Sequence, residues 1–485
     1  MSQAIEGLKP ELLWRYFAEI ARIPRPSKHE ERIAVYVLDT AKELGLRAMQ
    51  DCCGNIVVKK PASPGREQVA GICLQAHLDM VCEKNSGKNH DFLKDPIELV
   101  RKGAVLTANG TTLGADNGVG VATNLAIMAD RSLVHGPLEL LFTIDEETGL
   151  TGAKNLDPEL IESRTLLNLD SEEEGALYVG CAGGKDTIAR WKVTHESAEG
   201  PGVALQLSLK GLNGGHSGLD IVKGRGNAIK IMNRAVLKLS GIGARLSSIN
   251  GGNMRNAIPR ECEALIFIPP EKLAEAKALI LELNSTFRAE FASIEPDLDL
   301  SLTVKGGNNS CKMLDPSLQQ KLCKTISAQP HGVLHMSADI PGLVETSTNV
   351  AVITTTENAI VLVTSQRGSV ASRLTEAVET VEAIFELGDA IIETTDGYPG
   401  WKPNLDSPIL KVAKACYRSL YGKDAEVKAI HAGLECGIIG ERIPGMDMIS
   451  FGPTLESVHS PDERIYIDTV GRFWDFLLMI LKDVK

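Results

Sequence analysis

Leu74-Gln75-Ala76-His77-Leu78-Asp79 ends an apolar run that starts at Val69. The run is apolar enough to form a strand buried on both faces, which is typical of a parallel sheet covered by helices. Two later apolar runs, 138–144 and 165–169, are likewise followed at once by acidic residues. Ligands in open α/β sheets bind outside the carboxyl ends of the strands. We therefore expect the polar groups after these three strands to converge on one crevice.

Six polar residues at strand ends and in Gly/Pro-rich loops have the chemistry of a metal site. They are His77, Asp116, Glu146, Glu147, Asp170 and His459. A single such residue at a strand end is usually structural. Two zinc-like ions, however, need a shared carboxylate, an imidazole and a carboxylate each, and a bridging water. The set supplies these groups with one carboxylate to spare, so it predicts a two-metal hydrolase.

The spacing within two of these segments indicates different roles for neighbouring side chains. His77 and Asp79 leave the same face of an extended chain, so Asp79 can accept the second imidazole N–H and fix the tautomer that binds metal. Glu146 and Glu147 point in different directions, so one can bind metal while the other acts as general base. The alternative for this acidic pair is a solvated loop, and we assign Glu172-Glu173-Glu174 to that class.

Length, charge and cysteine usage limit the class of protein. With 485 residues the chain is too long for one ordinary core, so we expect two domains. The net charge of −12 comes without an acidic tail or a basic stripe, which argues against nucleic acid and anionic membranes as partners. No run approaches the roughly 18 apolar residues of a membrane span. Without a secretory signal or a C-x-x-C pair, we expect a cytoplasmic protein with reduced cysteines.

The hydrophobic patterns divide the chain into three parts. Helix and strand patterns alternate through residues 1–186 and again through 395–485, which predicts a mostly parallel sheet covered by helices. Before the helix that runs through Val37, Ser27-Lys28-His29-Glu30 has the pattern of a capping box. Residues 187–394 differ, since 203–209 alternates with period two, as in a sheet with one solvated face. We therefore predict a two-part α/β domain interrupted by an inserted α+β domain.

Several motifs carry a family resemblance. They are His77-Leu78-Asp79, Gly114-Ala115-Asp116-Asn117, Glu146-Glu147-x-Gly149, Asp170, Gly180-Cys-Ala-Gly-Gly184, Lys210-Gly-Leu-Asn-Gly-Gly-His-Ser-Gly218, Asn256-Ala-Ile-Pro-Arg260, His431-Ala-Gly-Leu-Glu-Cys-Gly437 and His459-Ser-Pro-Asp-Glu463. With them the chain resembles the M20 metallopeptidases over essentially its full length, and within that family its aminoacyl-histidine dipeptidases. The resemblance implies a zinc-exopeptidase-like catalytic domain with the inserted α+β domain as a lid.

The resemblance also implies a metal centre. Two divalent ions are expected, with zinc first and manganese or cobalt as alternatives. The implied ligands are His77 and Asp170 on one ion, Glu147 and His459 on the other, and Asp116 between them. Glu146 then acts as the general base, with Asp79 orienting its neighbours. The peptide bond between Asp116 and Asn117 is expected to be cis, and the protein to form a homodimer.

Five further residues are candidates for contact with substrate. By resemblance, His216 donates an N–H to the substrate carbonyl oxygen as negative charge develops there; without the resemblance it is a loop histidine. Asn256 and Arg367 are candidates for holding a substrate carboxylate, which a guanidinium grips with two hydrogen bonds. Glu435 is a candidate for recognising a substrate amine and His431 for lining the pocket, and the alternative for both is a polar turn.

The predicted function is a cytosolic dizinc dipeptidase for unblocked dipeptides, including Xaa-His. A water held between the metals would attack the peptide carbonyl, and Glu146 would take its proton and return it to the leaving amine. An N-acyl amino acid deacylase would use the same metals and base, but Glu435 favours a substrate with a free amine. A non-catalytic metal-dependent binding protein is the other alternative. The presence of Glu146 argues against it, because a binding protein needs no base.

Overall fold

The computed structural model describes residues 3–193, 195–197, 202–305 and 312–485. They form two compact units. The first unit comprises residues up to Gly180, Trp401–Ala429 and Leu434–Lys485, and the second, the inserted unit, comprises Cys181–Gly400 and Ile430–Gly433.

Helices and strands follow the predicted alternation closely in most of the chain. The helices are α1 (Glu11–Ile20), α2 (Glu31–Glu43), α3 (Ala115–Ala129), α4 (Glu146–Gly149), α5 (Thr151–Asn155), α6 (Ala228–Ser240), α7 (Leu273–Glu290), α8 (Pro316–Ala328), α9 (Ala371–Leu387), α10 (Pro408–Tyr421), α11 (Glu435–Arg442) and α12 (Ile467–Asp483). The strands are β1 (Arg47–Gln50), β2 (Ile56–Lys60), β3 (Ile72–His77), β4 (Leu99–Lys102), β5 (Val105–Ala108), β6 (Leu138–Thr143), β7 (Thr165–Asn168), β8 (Ala176–Cys181), β9 (Gly183–Lys192), β10 (His195–Ser197), β11 (Val203–Lys210), β12 (Gly215–His216), β13 (Arg245–Gly251), β14 (Ala257–Ile258), β15 (Cys262–Ile268), β16 (Asp299–Val304), β17 (Lys312–Leu314), β18 (Gly332–Met336), β19 (Val344–Thr355), β20 (Ala359–Gly368), β21 (Ile391–Thr394), β22 (Glu426–Ile430), β23 (Asp447–Ser450), β24 (Leu455–Glu456) and β25 (Arg464–Tyr466).

An eight-stranded mixed sheet forms the centre of the first unit, in the order β1-β2-β6-β3-β7-β23-β8-β22. The strands β6, β3, β7 and β23 pair in parallel, as predicted. Antiparallel pairing extends the sheet on both sides, through β2 and β1 at one side and β8 at the other. Every residue of β3 and of β6 is buried, which agrees with the continuous apolar runs in the sequence.

The predicted capping box before α2 is wrong. The Ser27 hydroxyl donates to Asp79 Oδ2 at 2.8 Å, and Glu30 Oε1 accepts the N–H of Asp145 at 2.9 Å. Glu30 is the N-cap residue of α2 but makes no side-chain capping bond. A charge-assisted hydrogen bond to a buried carboxylate is stronger than a neutral capping bond. The local pattern could not reveal this competitor, because Asp79 is distant in sequence.

A mostly antiparallel sheet forms the inserted unit, in the order β16-β11-β15-β13-β19-β20-β9-β21, with β18 paired to β19. Its core joins the buried face of this sheet to residues of α6, α7, α8 and α9, such as Met232, Phe287, Ile326 and Phe385. This is the α+β architecture predicted for the insertion. Helix α8 was missed, although Asp315 caps it and Pro316 starts it.

The chain enters the inserted unit after Gly180 rather than after 186, and leaves it after Gly400 rather than after 394. The reason is β9, which begins at Gly183 and pairs with β20 along its whole length. A Cβ atom at Gly183 would lie 2.4 Å from the backbone nitrogen of Gly400, so only glycine lets the two chain segments approach this closely. Glycines give no strand signal, and the start of β9 was therefore missed.

A small sheet in the order β24-β25-β5-β4 was also not predicted. Its strands are two to four residues long, too short to show an alternation of apolar and polar residues. The sheet matters for the site because it holds both ends of the segment between Glu456 and Arg464, which contains His459. Across the described ranges, no helix has the length and apolar character to cross a bilayer.

Candidate metal centre and substrate residues

Polar residues of the first unit lie together at the edge of the sheet where the parallel strands have their carboxyl ends. His77 is the last residue of β3 and lies in register with Thr143, the last residue of β6. Helix α4 begins at Glu146, just after β6, and Asp170 follows the end of β7. Parallel strands end on the same side of a sheet, so the register itself brings these groups together.

The Asp116 carboxylate lies between two imidazoles. Its Oδ1 is 3.1 Å from His77 Nε2 and its Oδ2 is 3.1 Å from His459 Nε2. Asp170 Oδ1 approaches the same atom of His77 at 3.3 Å, and Glu147 Oε2 approaches the same atom of His459 at 3.1 Å. Two groups of possible ligands thus share Asp116, and the donor atoms of each group lie within 4.8 Å of one another.

The start of α3 presents Asp116 in a non-helical conformation. The peptide bond between Asp116 and Asn117 is cis, as the resemblance implied, and both residues have non-helical backbone angles. The Asn117 amide donates to Asp170 Oδ1, and its carbonyl oxygen accepts the N–H of Gly120 at 3.0 Å. Asn117 therefore links the loop to a neighbouring carboxylate, a contact that sequence reasoning missed.

The carboxylate of Asp79 organises the residues around it. Its Oδ1 lies 3.2 Å from His77 Nδ1, and it accepts the backbone N–H groups of Glu146 and Glu147 at 3.1 and 3.2 Å. Burial alone would raise the pKa of Asp79, but the hydrogen bonds from His77, Ser27 and the Glu146 N–H lower it to about 2. Asp79 therefore remains ionised while it orients an imidazole and the turn that carries two carboxylates.

Electrostatics within the cluster favour a bound cation. Burial alone would lower the pKa of His77, yet Asp170, Asp116 and Asp79 raise it well above its usual range. Hydrogen bonds to Asp116 and Glu147 raise the pKa of His459 to about 11. The carboxylates thus hold protons on both imidazoles, and divalent cations would take the place of these protons.

The donor set fits zinc or a similar ion. Imidazole nitrogens and carboxylate oxygens are the ligands that such ions accept. Glu147 Oε1 is buried and, among the described residues, receives no hydrogen bond. The His77 side chain is 1% exposed and that of His459 is 49% exposed, so the cluster is open on the His459 side. Access from one side is what a catalytic metal site requires.

Glu146 lies beside the two groups of possible ligands. One of its carboxylate oxygens falls within 4.8 Å of donor atoms of His77 and Glu147. Burial raises the pKa of Glu146 well above its usual range, and the nearby carboxylates of Asp170, Glu147 and Glu435 raise it further, against the opposing effect of His77. A raised pKa suits a group that must both accept and release a proton near neutral pH.

Glu435 lies among buried polar side chains of the first unit and has no exposed surface. Its Oε2 accepts hydrogen bonds from Gln75 Nε2 at 2.6 Å and from Thr143 Oγ1 at 2.7 Å. Burial raises its pKa to about 8, against the opposing effects of His77 and Thr143. The geometry gives no support to our prediction that Glu435 binds a substrate amine, which stays untested.

In the inserted unit, the turn that follows His216 fixes the tautomer of this residue. His216 in β12 pairs with Ala257 in β14, and its Nδ1 accepts the N–H groups of Gly218 and Leu219, both at 3.2 Å. Burial and the charge of Arg367 lower the pKa of His216. A neutral imidazole whose Nδ1 accepts carries its proton on Nε2, so His216 presents an N–H donor.

Arg367 and His431 lie close to His216 in the inserted unit. Arg367 stands opposite Ser347 in the pairing of β20 with β19, and the Ser347 hydroxyl is 2.7 Å from His431 Nε2. Arg367 also donates to the Tyr398 hydroxyl at 3.0 Å. The Nε atom of Arg367 and the Nδ1 atom of His431 are buried and lack hydrogen-bond partners within the described part of the chain.

Asn256 directly precedes β14, the strand that pairs with His216, and its side chain is exposed. Its backbone oxygen accepts the N–H of Ser217 at 2.8 Å. The structure therefore brings together His216, Asn256 and Arg367, which the sequence placed in the insertion, and His431, which it placed in the second part of the first domain but which belongs to the inserted unit. It adds Tyr398, which sequence reasoning missed. A single tyrosine beside Pro399 and Gly400 carries no signal for a polar contact.

Comparisons with known proteins agree with the motifs. The model of peptidase family M20/M25/M40 matches residues 73–483. The chain is 41% identical over 481 residues to the cytosol non-specific dipeptidase of Escherichia coli strain K12, with 99% of each protein covered. The crystal structure of aminoacylhistidine dipeptidase from Vibrio alginolyticus superposes with a TM-score of 0.91 at 42% identity, covering 99% of this chain and 98% of that one. Aminopeptidase PepT from Bacillus cereus shares the fold, with a TM-score of 0.57 at 16% identity and coverage of 98% and 99%. The predicted relationship is confirmed, and the chain belongs to peptidase family M20/M25/M40.

Proposed function

We propose that this chain is a metal-dependent dipeptidase that cleaves unblocked dipeptides, including those with a C-terminal histidine. The observation that carries the proposal is the position of Asp116, whose two oxygens each lie 3.1 Å from a different imidazole. Glu146 offers an oxygen within 4.8 Å of a donor atom of one of these imidazoles, that of His77. Two relatives that are 41% and 42% identical to the chain over 98% or more of each protein are both named dipeptidases, which supports the substrate class. Zinc as the metal, a cytoplasmic location and a homodimer stay predictions.

The proposed ligands form two pairs around a shared carboxylate. They are His77 with Asp170, Glu147 with His459, and Asp116 between the pairs. When bound, two divalent ions polarise the peptide carbonyl and lower the pKa of a water molecule. Zinc is the ion we expect, with manganese and cobalt as alternatives, because all three accept imidazole and carboxylate donors.

The protein side chains move the proton. Glu146 accepts a proton from the attacking water and passes it to the leaving amine, and burial supports this role because it raises the pKa of the carboxyl group above its usual range. Asp79 holds His77 in one tautomer and, through two backbone N–H groups, fixes the turn that carries Glu146 and Glu147. This support keeps the base and the ligands in fixed relative positions.

Residues of the inserted unit supply the proposed substrate contacts. His216 carries its proton on Nε2 and is therefore suited to donate to the carbonyl oxygen as negative charge develops there. Arg367 offers a buried guanidinium with an unpaired Nε, which suits the C-terminal carboxylate of a dipeptide. His431 lines this cluster as a neutral group, because burial and Arg367 lower its pKa to about 3. Asn256 is the remaining candidate for the carboxylate.

An N-acyl amino acid deacylase is the alternative. Glu435 is buried and its Oε2 pairs with Gln75 and Thr143, so recognition of a free amine by Glu435, our argument against the deacylase, stays a prediction. The alternative would use the same base and the same ligands. What favours the dipeptidase is the end-to-end match to two named dipeptidases.

Hydrolysis of Ala-His tests the proposal directly. Metal-free protein should hydrolyse no Ala-His, and addition of Zn²⁺, Mn²⁺ or Co²⁺ should restore the activity, because the reaction uses metal-activated water. N-acetyl-histidine serves as the matched substrate without a free amine, and release of histidine is measured for both. Preferred cleavage of N-acetyl-histidine would establish the deacylase. Metal binding without turnover of either compound would establish a binding protein.

Glu146→Gln should keep the metal ions and lose turnover. The amide preserves the shape of the side chain but accepts no proton, so kcat should fall about 10²- to 10⁴-fold. Glu147→Gln is the matched control on the adjacent residue, and it should lose metal as measured by elemental analysis. Retention of both metals by Glu147→Gln, together with metal loss in Glu146→Gln, would reverse the two roles.

His216→Ala should lower kcat by about 10²- to 10³-fold, the range found for single donors to an oxyanion. Metal content should remain unchanged, because His216 is not a proposed ligand. His335→Ala, which removes another histidine of the inserted unit, serves as the control and should leave kcat unchanged. Steady-state kinetics with Ala-His that show a normal kcat for His216→Ala would exclude its proposed role.

Arg367→Ala should raise KM for dipeptides by about tenfold to a hundredfold, since a hydrogen bond to a charged group contributes roughly 1.5–3 kcal/mol. The effect should be confined to substrates with a free C-terminal carboxylate, and the corresponding dipeptide amides should show little change. Arg373→Ala removes an exposed arginine of the same unit and is the control. Equal effects on acids and amides would contradict the proposed partner of Arg367.

A further inference from the structure

The loop that presents Asp116 is held by a carboxylate outside the proposed ligand set. Glu463 is 2% exposed. Its Oε2 accepts the N–H groups of Leu113 at 2.7 Å and Gly114 at 2.9 Å. Its Oε1 accepts those of Ala115 at 2.7 Å and Asp116 at 3.3 Å. Four consecutive backbone N–H groups therefore converge on one side chain.

The carbonyl side of the same loop is held by a buried cation. Arg25 donates to the carbonyl oxygens of Leu78 at 2.9 Å, Asp79 at 2.7 Å and Gly114 at 2.5 Å. Gly114 has a φ of +68°, and a Cβ atom there would lie 2.7 Å from the guanidinium. Only glycine combines this backbone conformation with such a close approach. The loop is thus fixed by an anion at its N–H groups and by a cation at a carbonyl group.

Glu463 belongs to the same short segment as His459. The N–H of Glu463 donates to the carbonyl of Ser460 at 3.0 Å, which closes the turn after His459. The carbonyl of Glu463 accepts the Thr107 hydroxyl at 2.7 Å. His459 itself has a φ of +59°, an uncommon conformation for a residue with a side chain. The turn therefore has a defined shape, and one of its ends is anchored at Glu463.

The hydrogen bonds of Glu463 connect two distant parts of the chain. Leu113 and Glu463 are 350 residues apart in sequence. Across this connection, His459 Nε2 lies 3.1 Å from Asp116 Oδ2. A metal site requires its ligands to stay within about 0.5 Å of their productive positions. A bond network that joins both ligand-bearing segments is suited to maintain that spacing.

We infer that Glu463 is a positioning residue that sets the spacing between Asp116 and His459; the inference rests on the proposed two-metal function. Its four side-chain bonds go to backbone N–H groups, so it acts through Asp116 and not on substrate. Groups that orient metal ligands typically contribute about 10- to 100-fold to metal affinity. Glu463 should contribute in that range.

Glu463→Gln tests the inference, because the amide keeps the size of the side chain but replaces one acceptor oxygen by an NH₂ group that faces backbone N–H donors. The dissociation constant of Zn²⁺ is measured on the metal-free full-length protein by competition with a chromogenic chelator. We expect zinc affinity to fall about 10- to 100-fold. Asp116→Ala should lose more affinity, since it removes the shared ligand itself.

Glu139→Gln is the matched control. Glu139 is 5% exposed and accepts the backbone N–H groups of Glu162 at 3.0 Å and Ser163 at 2.9 Å. It lies near the start of β6, whereas the proposed metal ligands lie beyond the end of that strand. Both Glu139→Gln and Glu463→Gln should lower the unfolding midpoint of the metal-free protein. Glu139→Gln should leave zinc affinity within about twofold of the wild-type value, because Glu139, unlike Glu463, does not bind the Asp116 loop.

The positioning role would be overturned if folded Glu463→Gln bound zinc with wild-type affinity. It would also be overturned if Glu139→Gln lost as much zinc affinity as Glu463→Gln. If Glu463→Gln does not fold, Glu463→Asp is measured in the same way. It keeps the charge but is one methylene shorter, and it should also bind zinc more weakly. Wild-type affinity in Glu463→Asp, or loss of fold in both variants, would assign Glu463 to stability alone. A wild-type protein that binds no divalent ion would instead overturn the proposed function, and the inference with it.

Discussion

Parallel pairing of β3 with β7 sets Gln75 opposite Asn168, and pairing with β6 sets His77 opposite Thr143. The Gln75 amide donates to Thr143 Oγ1 at 3.1 Å and to Glu435 Oε2 at 2.6 Å, and its oxygen accepts from Asn168. A slip by one residue would turn these side chains to the other face of the sheet. Each buried polar group left without a partner would cost about 1–3 kcal/mol. The register of the sheet and the buried polar layer therefore stabilise each other, and the proposed metal ligands lie directly beyond this layer.

The charged side chains beyond that layer are closely spaced, and this spacing costs free energy. Carboxylates placed this close repel one another, and burial raises the pKa of Asp170 to about 6 against the opposing effect of His77. Protonated imidazoles offset part of the repulsion, as the raised pKa values of His77 and His459 show. Divalent ions would offset it more completely while releasing those protons. Metal binding, proton release and stability of the first unit are thus linked by one set of charges.

The residues proposed for function differ in chemistry between the two units. All proposed metal ligands and the proposed base belong to the first unit, whereas the inserted unit holds a neutral N–H donor at His216 and a cation at Arg367. In both units the candidate site residues lie at strand ends, in loops or in the first turn of a helix that follows a strand or loop, and a sheet fixes the neighbouring backbone. Glycines such as Gly114 occur where the backbone must approach a neighbouring group more closely than a side chain allows.

Local patterns in the sequence determined the strands and much of the site. Continuous apolar runs followed by His77, Glu146 and Asp170 predicted the parallel strands and the edge where these residues meet, because burial on two faces requires such runs. The motifs then identified the family, and they implied the cis peptide at Asp116. The periodicity of residues 203–209 likewise predicted the change to an antiparallel sheet in the insertion.

Only the tertiary structure decided which partner each polar group takes. The Ser27 hydroxyl donates a hydrogen bond to Asp79 and not to the end of a helix, and Glu435 is buried. Glu463 binds a loop that lies 350 residues away in sequence. Tyr398 meets Arg367 because two strands and a turn bring them together. Periodicity records whether a side chain is buried, since burial repeats with the geometry of the helix or strand. A hydrogen bond between distant segments leaves no such repeat, because its partner is determined only once the chain has folded.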